Sequence, residues 1–152
     1  MALDHALAVC VPPNEGVLRL YGWKRPTVSF GRNEPVVSRY TGQAMRSANL
    51  ECVRRPTGGR AVLHDEELTY AVVLPLKGVG RLREMYEGIN RALANALASL
   101  NAPVTLSEDR RCQTLVSGPC FQSPAAGEVI ANGRKLVGSA QARIGGNLLQ
   151  HG

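Results

Sequence analysis

Apolar and polar positions along this chain change their period several times, and each period predicts an element. From Val17 to Tyr21 the two-residue alternation of a strand puts Leu18 and Leu20 on one face and Val17, Arg19 and Tyr21 on the other. Thr27–Phe30 reads as a second short strand, and the five residues Gly22-Trp23-Lys24-Arg25-Pro26 between the two suit a hairpin. Upstream, Leu3, Ala6, Leu7 and Ala8 predict a helix over Met1–Val9, cut short by Pro12-Pro13. Val37–Ala48 reads as a helix with Ala44, Met45 and Ala48 on one stripe. Strands are expected over Glu51–Arg55, Ala61–Leu63 and Leu68–Leu74, the last rich in the β-preferring residues Thr69, Tyr70, Val72 and Val73.

The three- and four-residue spacing of Leu82, Met85, Tyr86, Ile89, Leu93, Ala96, Leu97 and Leu100 predicts one long helix over Arg81–Leu100, stopped by Asn101-Ala102-Pro103. Val104–Leu106 reads as a short strand, and the polar stretch Ser107–Pro119 as a mobile loop. Asn132-Gly133 supplies the two positive-φ positions of a type I′ turn, so Glu128–Ala131 and Arg134–Ala142 read as a hairpin. Its outgoing strand would carry Lys135, Val137, Ser139 and Gln141 on one face. Leu148–Gly152 begins a further element. No internal repeat or linker interrupts the pattern, and residues 1–152 read as one domain.

Composition narrows this picture modestly. A chain of 152 residues with 44% hydrophobic and 20% charged residues is globular rather than disordered. No run is long and apolar enough for a transmembrane helix, and no signal peptide is visible, which points to the cytoplasm and away from a membrane. The net charge of +6 is spread along the sequence, and aromatics make up only 5%, which argues against nucleic acid and for an acidic protein or anionic small molecule as partner. The four cysteines, Cys10, Cys52, Cys112 and Cys120, form no C-x-x-C pair, so neither zinc nor a disulfide is expected. Three of them are expected to pack as small buried residues, leaving one as a candidate nucleophile.

Two stretches carry candidate chemistry. Arg54 to Asp65 packs Arg54, Arg55 and Arg60 around Gly58-Gly59 and ends in His64-Asp65. Adjacent glycines allow close approach to the backbone N–H groups, and flanking arginines make such a turn a candidate anion site. The alternative is an ordinary hairpin turn with solvated arginines. His64-Asp65 is either half of a Cys/His/Asp arrangement or a hydrogen-bonding partner of the glycine turn or a substrate. Cys120 lies fifteen positions before Lys135, a gap the Asn-Gly hairpin can fold back. A nearby ammonium favours the nucleophilic thiolate; taken singly, Cys120 also reads as a buried structural thiol and Lys135 as a solvated hairpin lysine. Asp4 and Trp23 read as structural. No P-loop pattern occurs.

Taken together, these stretches resemble the lipoate–protein ligase A family and its octanoyltransferase relatives. The resemblance rests on Met1-Ala2-Leu3-Asp4, Tyr21-Gly22-Trp23, Arg54-Arg55-Pro56-Thr57-Gly58-Gly59-Arg60-Ala61-Val62-Leu63-His64-Asp65, Glu67-Leu68-Thr69-Tyr70, the run from Gly133 to Gln141, and Leu149-Gln150-His151-Gly152. It implies an α/β (α+β) fold, a mixed sheet with flanking helices like that of biotin–protein ligases. It also implies an acyl site roofed by the glycine turn, with Arg54, Arg55, Thr57, Gly58, Gly59, Arg60, His64, Gly138, Ser139 and Ala140 as substrate contacts. The family's domain begins with a strand before Met-Ala-Leu-Asp and continues past His-Gly, so the resemblance implies a domain truncated at both ends.

The resemblance leaves three activities open. Cys120 in Cys-Phe-Gln-Ser-Pro, Arg60 where the ligases have a third glycine, and the Gln141 ending of Gly-Ser-Ala-Gln resemble the cysteine-dependent octanoyltransferase branch. That branch moves octanoate from acyl carrier protein, through a thioester on Cys120 with Lys135 beside it, to a lysine of a lipoyl-domain protein such as the glycine cleavage H protein. It uses no cofactor. The alternatives are an ATP- and Mg-dependent lipoate–protein ligase and a truncated, non-catalytic relative that binds a lipoyl domain.

Overall fold

The computed structural model describes residues 1–35, 42–77, 80–108 and 125–152. The chain divides into two compact units, one formed by Met1–Lys77 with Ala140–Gly152 and the other by Gly78–Ser139.

The first unit holds two sheets. Strands β1 (Val17–Tyr21), β5 (Thr69–Pro75), β10 (Asn147–His151) and β9 (Ala140–Ile144) form an antiparallel sheet in the order β1-β5-β10-β9. Helix α1 (Ala2–Cys10) lies against it, and Ala8, Ala71, Val73 and Leu149 make the core between them. Small Ala8 and Ala71 let helix and sheet approach closely, and β-branched Val73 suits the pleated surface. The second sheet has the order β3-β2-β4, with β2 (Thr27–Phe30) parallel to β3 (Glu51–Arg54) and antiparallel to β4 (Val62–His64). All four residues of β2 are buried, as a central strand requires. Short helix α2 (Gly42–Ser47) lies against β3.

The second unit is simpler. Helix α3 (Leu82–Ser99) packs on β6 (Val104–Leu106) and β7 (Val129–Ala131), and β8 (Arg134–Lys135) completes the antiparallel order β6-β7-β8. Among its described residues, Met85 and Ala94 of α3 and Val129 of β7 are the buried apolar ones. The Glu84 side chain accepts from the Arg81 N–H at 3.1 Å, satisfying a donor at the start of α3. Among the described residues no helix is long and apolar enough to cross a membrane.

Several expectations need correction. Strands β1 and β2 do not form a hairpin: β1 pairs with β5, and β2 is filled on both sides by β3 and β4. The apolar face of β1 is the outer one, with Leu18 65% and Leu20 57% exposed, while Arg19 and Tyr21 reach inward to Asp4. A buried carboxylate needs partners more than two leucines on an edge strand need cover. Within the expected helix over 37–48, residues 37–41 lie outside the described region; Ala44 and Ala48 are exposed and α2 buries none of its residues. Cys10 and Cys52 are exposed rather than packed inside, and Cys112 lies outside the described residues.

The Asn-Gly hairpin forms, with Asn132 at φ 49° and Gly133 at φ 72° joining β7 to β8. Its outgoing strand ends at Lys135, however, and residues 136–139 are irregular before β9. Lys135, Val137, Ser139 and Gln141 therefore do not line one strand face. A Cβ on Gly133 would meet nothing within 4 Å, so Gly133→Ala is expected to cost about 1 kcal/mol, from backbone strain alone. A urea-denaturation midpoint measures it.

Candidate active site

The turn from Arg55 to Arg60 is held from below by its own arginine. After β3 the Arg55 N–H bonds to the Phe30 carbonyl at 2.9 Å and the chain turns back into β4. The Arg55 guanidinium is buried and donates to Ser29 O at 2.8 Å, to Ser29 Oγ at 3.0 Å, to Gly58 O at 2.9 Å and to Arg60 O at 2.6 Å. A planar fork with five donors can bind a turn's carbonyls from several directions at once, which a lysine cannot. Arg54 lies on the exposed side and donates to the carbonyls of Gly31, Arg32 and Glu34. Arg55 thus shapes the turn from within, while Arg54 ties the end of β3 to the segment that follows β2.

The turn also sits directly on the end of β2. The Arg32 N–H bonds to Thr57 O at 2.8 Å, and a Cβ on Gly31 would stand 1.8 Å from Gly59 O. Gly59, at φ 91°, takes the left-handed conformation that adjacent glycines were expected to allow.

Two buried histidines brace the same turn. His64, at the end of β4, places Nε2 2.6 Å from Ser29 Oγ and Nδ1 2.6 Å from Glu67 Oε1. Its carboxylate partner is thus Glu67 rather than Asp65, which is exposed; nor does His64 bond the glycine turn itself, reaching it only through Ser29 and Arg55. Trp23 stacks on the imidazole with ring centroids 4.3 Å apart and donates to Thr69 Oγ1 at 2.7 Å, and Thr69 donates to Glu67 at 2.7 Å. Partial burial opposes ionisation of Glu67, but hydrogen bonds from His64 and Thr69 outweigh it and lower its pKa.

On the other side, the fully buried Thr57 hydroxyl lies 2.7 Å from His151 Nε2, and His151 Nδ1 lies 3.3 Å from Asp4 Oδ2. Tyr21 donates to Asp4 at 2.8 Å and Arg19 bonds its other oxygen, with the guanidinium 3.6 Å above the Tyr21 ring. Burial would push the Asp4 carboxyl up, but the bonds from His151, Tyr21 and Arg19 prevail and hold it at about 2. Burial, with the Asp4 carboxylate beside it, raises Tyr21 well above the usual phenol range.

In the second unit Lys135 closes the hairpin. Its ammonium lies 2.7 Å from Glu128 Oε1. Asn90 on α3 is buried, donates to Gly127 O at 2.9 Å and accepts from Ser139 Oγ at 3.2 Å, which fixes the segment carrying Gly138 and Ser139. Gly138 is half-buried in that segment, and Ala140 opens β9 opposite His151. Cys120 lies outside the described residues. Among the described residues no three His, Cys, Asp or Glu side chains gather to hold a metal ion.

Of the sequence candidates, Arg55, Thr57, Gly58, Gly59, Arg60 and His64 come together around one turn, and Lys135, Gly138 and Ser139 lie together in the second unit. Sequence reasoning did not single out Ser29, Asn90 or Glu128, and it met Glu67 and His151 only inside family motifs, with no role assigned. Nothing local tied Glu67 to His64, or His151 to Thr57 and Asp4.

Comparison with known proteins gives the family and the fold. Octanoyltransferase LipM of Moorella thermoacetica is 41% identical over 163 residues, covering 100% of this chain and 58% of that protein. Octanoyltransferase LipM of Bacillus subtilis is 39% identical over 166 residues, covering 100% and 59%. The chain therefore spans somewhat over half the length of these relatives. Among solved structures, lipoate-protein ligase A bound with ATP superposes with a TM-score of 0.80 at 23% identity, over 99% of this chain and 58% of that one. A bipartite lipoate protein ligase from Thermoplasma acidophilum, studied with its E2 lipoyl domain, gives 0.78 at 24% identity, over 99% and 53%. These two establish a shared fold, the mixed α/β architecture of lipoate–protein ligases. The family model of the lipoyl protein ligase A/B catalytic domain matches residues 1–152, and the chain belongs to that family.

Proposed function

We propose that this chain carries the catalytic residues of an octanoyltransferase that moves an octanoyl group from acyl carrier protein to a lysine of a lipoyl-domain protein, such as the glycine cleavage H protein, in the cytoplasm. The identity of about two residues in five, across the whole chain, with relatives named octanoyltransferase is the observation that carries this reading.

In this reaction the Cys120 thiolate attacks the thioester carbonyl of the octanoyl donor. The C–S bond to the carrier breaks, and the carrier leaves as its thiol, taking the proton that Cys120 gave up. The acceptor lysine's amine then attacks the new thioester, the amide forms, and the amine's proton returns to Cys120. The first transfer exchanges one thioester for another, so no ATP is needed, and the second is downhill. Lys135 places positive charge where the thiolate and the tetrahedral oxyanion develop. The turn roofs the acyl group: Gly58, Gly59 and Arg60 offer it their backbone, Arg55 holds that backbone in shape, and Arg54, Thr57 and His64 serve as further substrate contacts. Gly138, Ser139 and Ala140 complete the contacts. The net charge of +6 favours encounter with an acidic carrier protein.

The test is transfer from octanoyl-acyl carrier protein to a lipoyl domain without ATP. Octanoylated acceptor is the expected product. Acylation that requires ATP and free lipoate, with lipoate-dependent exchange of pyrophosphate into ATP, contradicts the proposal and establishes the ligase reaction. A stable complex with the lipoyl domain and no turnover establishes a non-catalytic role.

A further inference from the structure

The ion pair inside the second unit is unusual in being almost completely buried: the side chains of Lys135 and Glu128 are each only 7% exposed. Both charges must be desolvated to form it. Such a pair generally adds little net stability over a well-packed apolar pair of similar volume. Its presence needs a reason other than stability.

The surroundings show how firmly the carboxylate is fixed. Glu128 immediately precedes β7, and Lys135 on β8 lies opposite Ile130, so alternation puts Glu128, Ile130 and Lys135 on one face of the hairpin. Glu128 Oε1 takes the Lys135 ammonium at 2.7 Å and the Tyr86 hydroxyl of α3 at 3.3 Å. Its Oε2 accepts the Ala125 N–H at 2.8 Å. The Glu128 backbone is pinned as well, its carbonyl accepting from Ser107 N–H at 2.8 Å. A carboxylate held from a helix, a strand and a loop offers the lysine a nearly fixed anchor. A four-carbon side chain with free rotation needs one if its charge is to act at a fixed point.

We infer that Glu128 is a positioning residue, which acts through Lys135 by holding the ammonium in the place and orientation that acyl transfer uses. This rests on the octanoyltransferase reading for the role of Lys135.

The experiment combines transfer rates with chemical labelling. Glu128→Gln is expected to slow octanoyl transfer about tenfold or more, the scale set by losing a charge-assisted hydrogen bond, and to cause no further loss in a Lys135→Met background. The paired apolar replacement, Glu128→Met with Lys135→Met, is expected to fold and to lose transfer. Labelling of Lys135 by an amine-acylating reagent, read by peptide mass, is expected to speed up at least severalfold in Glu128→Gln. Parent-like transfer in Glu128→Gln, an undiminished penalty in the Lys135→Met background, or unchanged labelling overturns the proposal. Should Glu128→Gln fail to fold, Glu128→Asp carries the same comparisons. If the parent protein transfers nothing, the octanoyltransferase reading fails, and the labelling result by itself decides whether Glu128 governs Lys135.

Discussion

Gly31→Ala is expected to destabilise the first unit by about 3 kcal/mol or more, at the upper end of what overpacking costs. The added Cβ would stand 1.8 Å from Gly59 O and 2.8 Å from Gly59 C, and both are backbone atoms. No rotamer change relieves such a clash; either β2 or the turn must move. Moving the turn stretches the Arg32 N–H bond to Thr57 O and the Arg55 contacts with Gly58 and Arg60. The variant should therefore lose stability and transfer activity together. A urea midpoint within experimental error of the parent's would contradict the close approach of Gly31 to the turn.

The second large effect lies at Asp4. Asp4→Ala is expected to cost about 3 kcal/mol, because it leaves Arg19, Tyr21 and buried His151 without their shared acceptor. The helix is then held to its sheet by the small core around Ala8 and by the Asn147 side chain, which donates to Ala8 O at 3.0 Å. The acid limb of the stability curve gives an independent check. Burial raises the Asp4 carboxyl, but its hydrogen bonds outweigh this and hold it at about 2 in the folded chain, below the ordinary 3.8 of the unfolded one. A depressed folded-state value means the contribution is fully present above about pH 4 and is lost as pH falls towards 2. Its size is about 2 kcal/mol, by the usual conversion of pKa shift to free energy. Asp4→Asn should remove that part of the acid sensitivity. An Asp4→Asn variant with the parent's slope between pH 4 and pH 2 would show that the carboxylate is not the group responsible.

These two effects also mark where the sequence was legible. Strands β1 and β2, helix α3 and the Asn132-Gly133 turn follow from local period and turn chemistry, which act over a few residues. The glycine turn was recognisable because Gly58-Gly59 between arginines is a local pattern. Strand partnership was not legible. Val17–Tyr21 and Thr27–Phe30 look like two arms of a hairpin, yet each finds its partners from Glu51 onward, and no local feature records that choice. Likewise the run from Arg134 to Ala142 alternates like one strand, although Lys135 ends one sheet and Ala140 begins another.

The polar network was hardest to read for the same reason. Asp65 adjoins His64 in sequence, but adjacent residues in an extended chain point to opposite faces, so Glu67, three positions on and past the turn, is the carboxylate that reaches the ring. Thr57 and His151 meet across the fold. Asp4 reads as structural from its position in an apolar helix, and so it is, but what it supports is the turn that carries the proposed chemistry. Arg54 and Arg55 read as candidate anion contacts from a local pattern, but their bonds to the carbonyls of Gly31, Gly58 and Arg60 depend on how the chain folds back and leave no local signature.

The central claim is that the acyl group passes through Cys120. Intact mass of the folded protein after incubation with octanoyl-acyl carrier protein, without acceptor, tests it most directly. One octanoyl group added to the parent protein, removable by hydroxylamine and absent in Cys120→Ser, is the result this account predicts. No adduct on the folded parent, or an adduct that persists in Cys120→Ser, would contradict it.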